Sequence, residues 1–160
     1  MKLPKLIQGG VGVAISDWRL AKAVASLGQL GVVSGTGISR VVASRLTDGD
    51  LSGNVRRALS NFALPEIVQT MLDRYYTPNG KSSTTPYKIP VSYSLTPPKF
   101  LDQVTALANY VEVFLAKEGH SGIVGINLLE KVQMPTLASL YGAMLAGVDV
   151  VLMGAGIPTQ

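Results

Sequence analysis

No cysteine occurs among the 160 residues, and histidine occurs once, at position 120. The absence of cysteine excludes a disulfide framework and a cysteine-ligated zinc centre. With a single histidine as well, the chain lacks an obvious nucleophile, proton acceptor or metal cluster. Charge is scarce too: 15% of residues carry it, against about a quarter in an average domain. At 47% apolar residues, that scarcity excludes a disordered acidic or basic tail. The net charge of +4 arises wholly in residues 1–80, which hold nine basic and five acidic residues, while 81–160 hold five of each. Arg56-Arg57 is the one adjacent basic pair. A nucleic-acid partner needs a basic stripe with interleaved aromatics, and none is present.

Nor is there an unbroken run suited to a membrane. Residues 132–148 carry no charge, but Pro135, Gly142, Gly147 and Asp149 interrupt the stretch, and Gly154, Gly156 and Pro158 follow. Met1–Ser16 opens with Lys2 and Lys5 ahead of an apolar run, as a leader would. Pro4, the Gly9-Gly10-Val11-Gly12 cluster and the lack of an Ala-x-Ala site fit that reading poorly. The expectation is a soluble, cytoplasmic chain with no membrane partner.

Glycine, by contrast, is abundant: 17 of 160 residues, near 11%, where about 7% is usual. Glycine with aliphatics and little charge suits parallel strands buried on both faces. Leu6–Ile7 reads as a short strand running into the first glycine turn. Ser16 predicts the cap of a helix from Asp17 to Leu27, stopped by Gly28. Leu30–Ser34 reads as a second strand, ending at Gly35-Thr36-Gly37. So short a crossover predicts parallel strands.

The stretch 38–98 reads as an insertion, with helices over Ile38–Leu46, Val55–Phe62 and Pro65–Tyr76 and a weak strand over Ile89–Leu95. Thr96 and Pro97 then predict the start of a helix with Phe100, Val104, Leu107, Ala108, Val111 and Leu115 on one face. Ile123–Leu129 is a strand. A helix opened by Pro135 has Leu137, Leu140, Tyr141, Met144 and Leu145 on one face and is stopped by Gly147. Val148–Met153 is the last strand. The order β–α–β–insertion–α–β–α–β predicts an α/β fold with about four parallel strands. It fits an open doubly wound sheet or half of a barrel, and an eight-stranded barrel needs about 250 residues. We read residues 1–160 as the front half of such a TIM barrel, with 38–98 inserted after strand two.

Three glycine clusters, Gly9-Gly10-Gly12, Gly35-Gly37 and Gly154-Gly156, each follow a strand. Parallel strands bring all three to one rim, where such folds place their sites. They are tight turns, a cradle for a planar ligand, or both. No dinucleotide fingerprint fits: Gly35-Thr36-Gly37 has Arg40 where a third glycine belongs, and Gly10-Val11-Gly12 fails at Ile15. Asn127 interrupts an apolar strand, so its amide needs a partner, either a ligand edge or neighbouring backbone. Gln8 and Ser34 end their strands similarly. Lys131, next to Glu130, is either a counter-charge for an anionic ligand or a solvated loop cation. His120 falls on the opposite rim, as a helix C-terminal contact or a plain loop residue rather than a base.

Four motifs in order carry a family resemblance: Leu6-Ile7-Gln8-Gly9-Gly10-Val11-Gly12, Leu30-Gly31-Val32-Val33-Ser34-Gly35, Val124-Gly125-Ile126-Asn127, and Val151-Leu152-Met153-Gly154-Ala155-Gly156-Ile157-Pro158. Together the chain resembles the nitronate monooxygenases, or 2-nitropropane dioxygenases. The resemblance implies a TIM barrel with non-covalent FMN over its strand ends. It implies flavin contacts from Gln8, Gly9, Gly10, Val11, Gly12, Ser34, Gly35, Asn127, Gly154, Ala155 and Gly156, to which the residue reading adds Lys131 as a cofactor-binding candidate. Val11 stands where the family typically has methionine. The implied reaction oxidises an alkyl nitronate, with O2 as acceptor, to a carbonyl compound and nitrite. Related flavin enzymes of this fold include FMN-dependent enoyl-acyl carrier protein reductases, and a non-catalytic α/β ligand-binding module is the reading of another class. The family's catalytic histidine and phosphate loops lie in a second barrel half, so no catalytic residue is assigned here. The expectation is a chain that is inactive alone, or that self-associates as a homodimer to cover an open interior.

Overall fold

The computed structural model describes residues 4–157. α1 (Trp18–Ser26) begins one residue later than the sequence predicts. Asp17, not Ser16, is its cap, accepting from the N–H groups of Arg19 and Leu20 at 3.0 and 3.3 Å. Ser16 instead donates to the carbonyl of Val11 at 3.1 Å, fastening the glycine-rich segment ahead of the helix. β1 (Gly31–Ser34) follows, then α2 (Ile38–Thr47), α3 (Asn54–Leu59) and α4 (Pro65–Tyr75). α5 (Lys99–Lys117), β2 (Val124–Leu129), α6 (Thr136–Leu145) and β3 (Val150–Gly154) complete the order.

The three strands form one parallel sheet in the order β1-β2-β3. Ser34 lies opposite Asn127, and Asn127 opposite Leu152. The expected first strand is reduced to an isolated parallel bridge between Ile7 and Leu30. Its ladder is continued by a side chain. Gln8 accepts from the N–H of Val32 at 3.0 Å and donates to its carbonyl at 2.9 Å, which imitates a strand partner. The expected strand over Ile89–Leu95 does not form, because that alternating segment finds no neighbouring strand to pair with and Pro90 has no N–H to give. α5 starts after Pro98 rather than at Pro97. The ring of Pro98 disfavours helical backbone at the residue before it, so the double proline delays the helix.

Two hydrophobic clusters meet along α5. One joins it to α2, α3 and α4 through Leu46, Leu59, Met71, Leu107, Val111 and Leu115. The other joins it to α1, α6 and one face of the sheet through Ala21, Val33, Val113, Ile126, Leu128 and Ala143. Segment 38–98 is therefore not an appendage: its helices make one of the two cores. Inside α5, Glu112 is fully buried. Its carboxylate accepts from the Trp18 N–H at 2.9 Å and pairs with Arg45, tying α1, α2 and α5 together. Burial pushes the Glu112 carboxyl up, against the opposing pull of Arg45 and of the Trp18 N–H.

α6 is turned inside out relative to its hydrophobic pattern. The structure buries Ser139, Gly142 and Ala143 and leaves Leu137, Tyr141, Met144 and Leu145 exposed. A Cβ on Gly142 would lie 1.9 Å from the carbonyl oxygen of Ala106, so α6 rests backbone against backbone on α5. Only the small-residue face allows that approach.

Candidate functional site

The strand C-termini and the turn before α1 enclose a cleft of about 210 Å³. Its walls are Gly10, Val11, Gly12 and Val13 on one side and Ser34, Thr36, Asn127 and Leu129 on the other. Gly10 positions this turn. Its φ is +65°, and a Cβ there would sit 2.3 Å from Cγ1 of Val32, so the backbone lies directly on the sheet. Within the described residues, the N–H groups of Gly10 to Val13 find no backbone acceptor.

Asn127 is 7% exposed and lines the cleft. Its Nδ2 donates to the carbonyl of Gly9 at 2.6 Å. Its Oδ1 is buried and has no hydrogen-bond partner. That oxygen points along the sheet towards β3: a Cβ on Gly154 would lie 3.2 Å from it. An orphaned buried acceptor costs about 1–3 kcal/mol.

Thr36 was not singled out by sequence reasoning. Its Oγ1 accepts from the N–H of Leu129 at 2.9 Å, closing the rim between β1 and β2. The polar residue inside Gly35-Thr36-Gly37 was the available signal. Beyond it, α2 starts at Gly37 with no side-chain cap, and a Cβ on Gly37 would lie 3.9 Å from Val13 in the cleft wall. The positive end of that helix therefore adjoins the cleft.

Of the residues expected to share a site, the structure brings Gly10, Val11, Gly12, Ser34 and Asn127 together, with Gly9 behind Asn127 and Gly154 at the margin. Gln8 is not aimed at the cleft, because its amide is spent on Val32. Gly35 faces the helix side, where a Cβ would strike Ile126, Leu128 and Asn109. Ala155 and Gly156 are exposed, with Gly156 over Glu130, and Lys131 is exposed beyond the strand end. None of these three lines the cleft. His120 lies at the opposite rim, with Nε2 against the Ala116 carbonyl at 2.7 Å and Nδ1 accepting from the Gly122 N–H at 3.0 Å. It closes the end of α5.

No titratable side chain lines the cleft. The arrangement can hold a flat ligand edge through one acceptor, one hydroxyl and several backbone donors, but offers no group to move a proton. Among the described residues no cluster of metal-ligating side chains occurs, and no helix is long and apolar enough to cross a membrane. Fold and site together define a mixed α/β protein with a small parallel sheet and a polar cleft at its strand ends. Comparison with family models, with curated proteins and with solved structures finds no match.

Proposed function

We propose that the chain is the flavin-binding front half of an FMN-dependent oxidoreductase with a (β/α)8 barrel, oxidising alkyl nitronates with O2 to a carbonyl compound and nitrite. The observation that carries this reading is the unpartnered Oδ1 of Asn127 at the strand-end cleft. One edge of a flavin ring presents an imide N–H between two carbonyl oxygens, all in one plane. Asn127 would accept from that N–H, and the free N–H groups of Gly10 to Val13 would donate to ring carbonyls. Gly154 puts no side chain over the buried Asn127 oxygen, and Ser34 adds a hydroxyl to the cleft wall. The N-terminus of α2 would favour negative charge on the ring or on the nitronate. FMN, when bound, supplies the electron acceptor for the nitronate and the donor to O2.

The bridge at Ile7 is, in this reading, the start of the first barrel strand. Because no residue lining the cleft can serve as acid or base, the chain by itself binds without turning over. The same observation favours, as second reading, a non-catalytic α/β ligand-binding module.

Titration of the purified chain with FMN, followed by flavin fluorescence, tests the proposal. Saturable quenching that is lost in Asn127→Ala supports it. Quenching unaffected by that change refutes the placement. Saturable binding with no preference for FMN over flat heterocycles lacking the imide favours the binding module. NADH or NADPH oxidation without nitronate would point to an enoyl reductase component instead.

A further inference from the structure

We infer that the outer face of α6 is a self-association surface whose occupant is a second copy of this chain. Leu137, Tyr141, Met144 and Leu145 follow the i, i+4, i+7, i+8 spacing of a single helical stripe, and all four are exposed, Leu137 by 81% and Met144 by 68%. Surface helices turn such a stripe inward; here Gly142 holds the small face on α5, so the stripe is presented outward. Single exposed apolar residues need no explanation, but a contiguous patch does. Leu137 and Tyr141 of the stripe also wall an apolar groove of about 430 Å³ between α4, α5 and α6, lined further by Phe62, Ile67 and Leu107. Ridge and groove thus lie side by side on one surface, the arrangement an isologous two-fold contact needs: each ridge seats in the other copy's groove.

Charge selects this occupant over an unrelated protein. On a two-fold axis each residue approaches its own copy, so a charge there would meet its like. α6 has no charged residue, and none occurs anywhere from 132 to 148. Away from the helix, the groove margin carries Lys99 and Asp102, opposite in sign and three residues apart on α5. A two-fold related copy can bring Lys99 against Asp102 and Asp102 against Lys99. The inference does not rest on the flavin reading.

Sedimentation equilibrium of the full chain tests it. The expected mass is twice the 16.9 kDa of one chain. Tyr141→Glu should raise the dissociation constant at least about tenfold, the threshold effect of a buried aromatic anchor. Because Tyr141 is exposed in the monomer, far-ultraviolet circular dichroism should not change. Lys99→Glu, which puts like charge opposite Asp102 of the other copy, should weaken the dimer. A wild-type chain that stays monomeric overturns the inference. So does a dimer indifferent to Tyr141→Glu, or a groove that saturates with an apolar dye while the chain remains monomeric.

Discussion

The side-chain amide of Asn127 reaches the carbonyl of Gly9 at 2.6 Å, joining residues 118 positions apart. One half of the carboxamide thereby holds the glycine turn in place, and the other half is left buried towards β3 without a partner. Asn127→Ala removes a hydrogen bond worth about 0.5–1.5 kcal/mol and an orphaned acceptor costing about 1–3 kcal/mol. The two nearly cancel. The melting temperature should therefore move little while flavin quenching disappears. A large loss of thermal stability would show that the oxygen is satisfied in solution by something other than a ligand.

Gly10 tolerates no side chain. A methyl group would need to share space with Val32 and adopt a left-handed backbone. Gly10→Ala should destabilise by about 2–5 kcal/mol, from about 1–3 for overpacking and about 1–2 for the backbone. Chemical denaturation gives the number. Gly9→Ala is the control: nothing lies within 4 Å of a Cβ there, so the same measurement should register little change.

Arg45 is the charge that makes a buried Glu112 tolerable. Arg45→Met should cost about 3–5 kcal/mol at neutral pH by stranding the carboxylate. The pH dependence has a definite sign. Burial raises the folded-state value of Glu112 above its ordinary 4.5, so folding favours the protonated form. Stability conferred by that group is present at pH below 4.5 and is lost as pH rises through the raised value. Without Arg45 the loss deepens. Denaturant melts of Arg45→Met should give a more stable protein in mild acid than at neutrality; equal stability at both would contradict this account.

Tyr93 donates to Asp102 and accepts from the Thr105 hydroxyl, both at 2.9 Å. Burial, foremost, pushes its phenol up to about 12. In an alkaline titration followed by phenolate absorbance, Tyr93 should ionise last, and Tyr93→Phe should delete that final phase. Since the folded value lies above 10, stability falls as pH climbs from 10 towards 12. Early ionisation of all six tyrosines would mean that the Tyr93 contact opens readily.

Much of this was readable in the residues. Apolar runs mark β1, β2 and β3, with glycine closing β1 and β3, and the short crossover after Ile7 makes its bridge to Leu30 parallel. Asn127 declared itself as a polar residue inside an apolar strand. Other features depend on neighbours that periodicity does not report. The pattern of α6 says which side is apolar, not which side faces in; Gly142 against Ala106 decided that. Ile89–Leu95 alternates as a strand does, but a strand needs another strand beside it. Gln8 looked like a strand-end ligand contact, and only the position of Val32 shows that its amide replaces a missing length of backbone. Lys131 and Gly156 follow strands in sequence without reaching the cleft.

α5 is a wall shared by two rooms. Thirteen of its 19 residues are buried, some against the insertion helices and others against the sheet side. Stripping either cluster exposes one flank of the helix, and the remaining flank is too narrow to keep it folded alone. The two cores should therefore dissolve in one transition. A nick in the loop far from the cleft, between α4 and α5, would loosen the strand ends as surely as damage beside them.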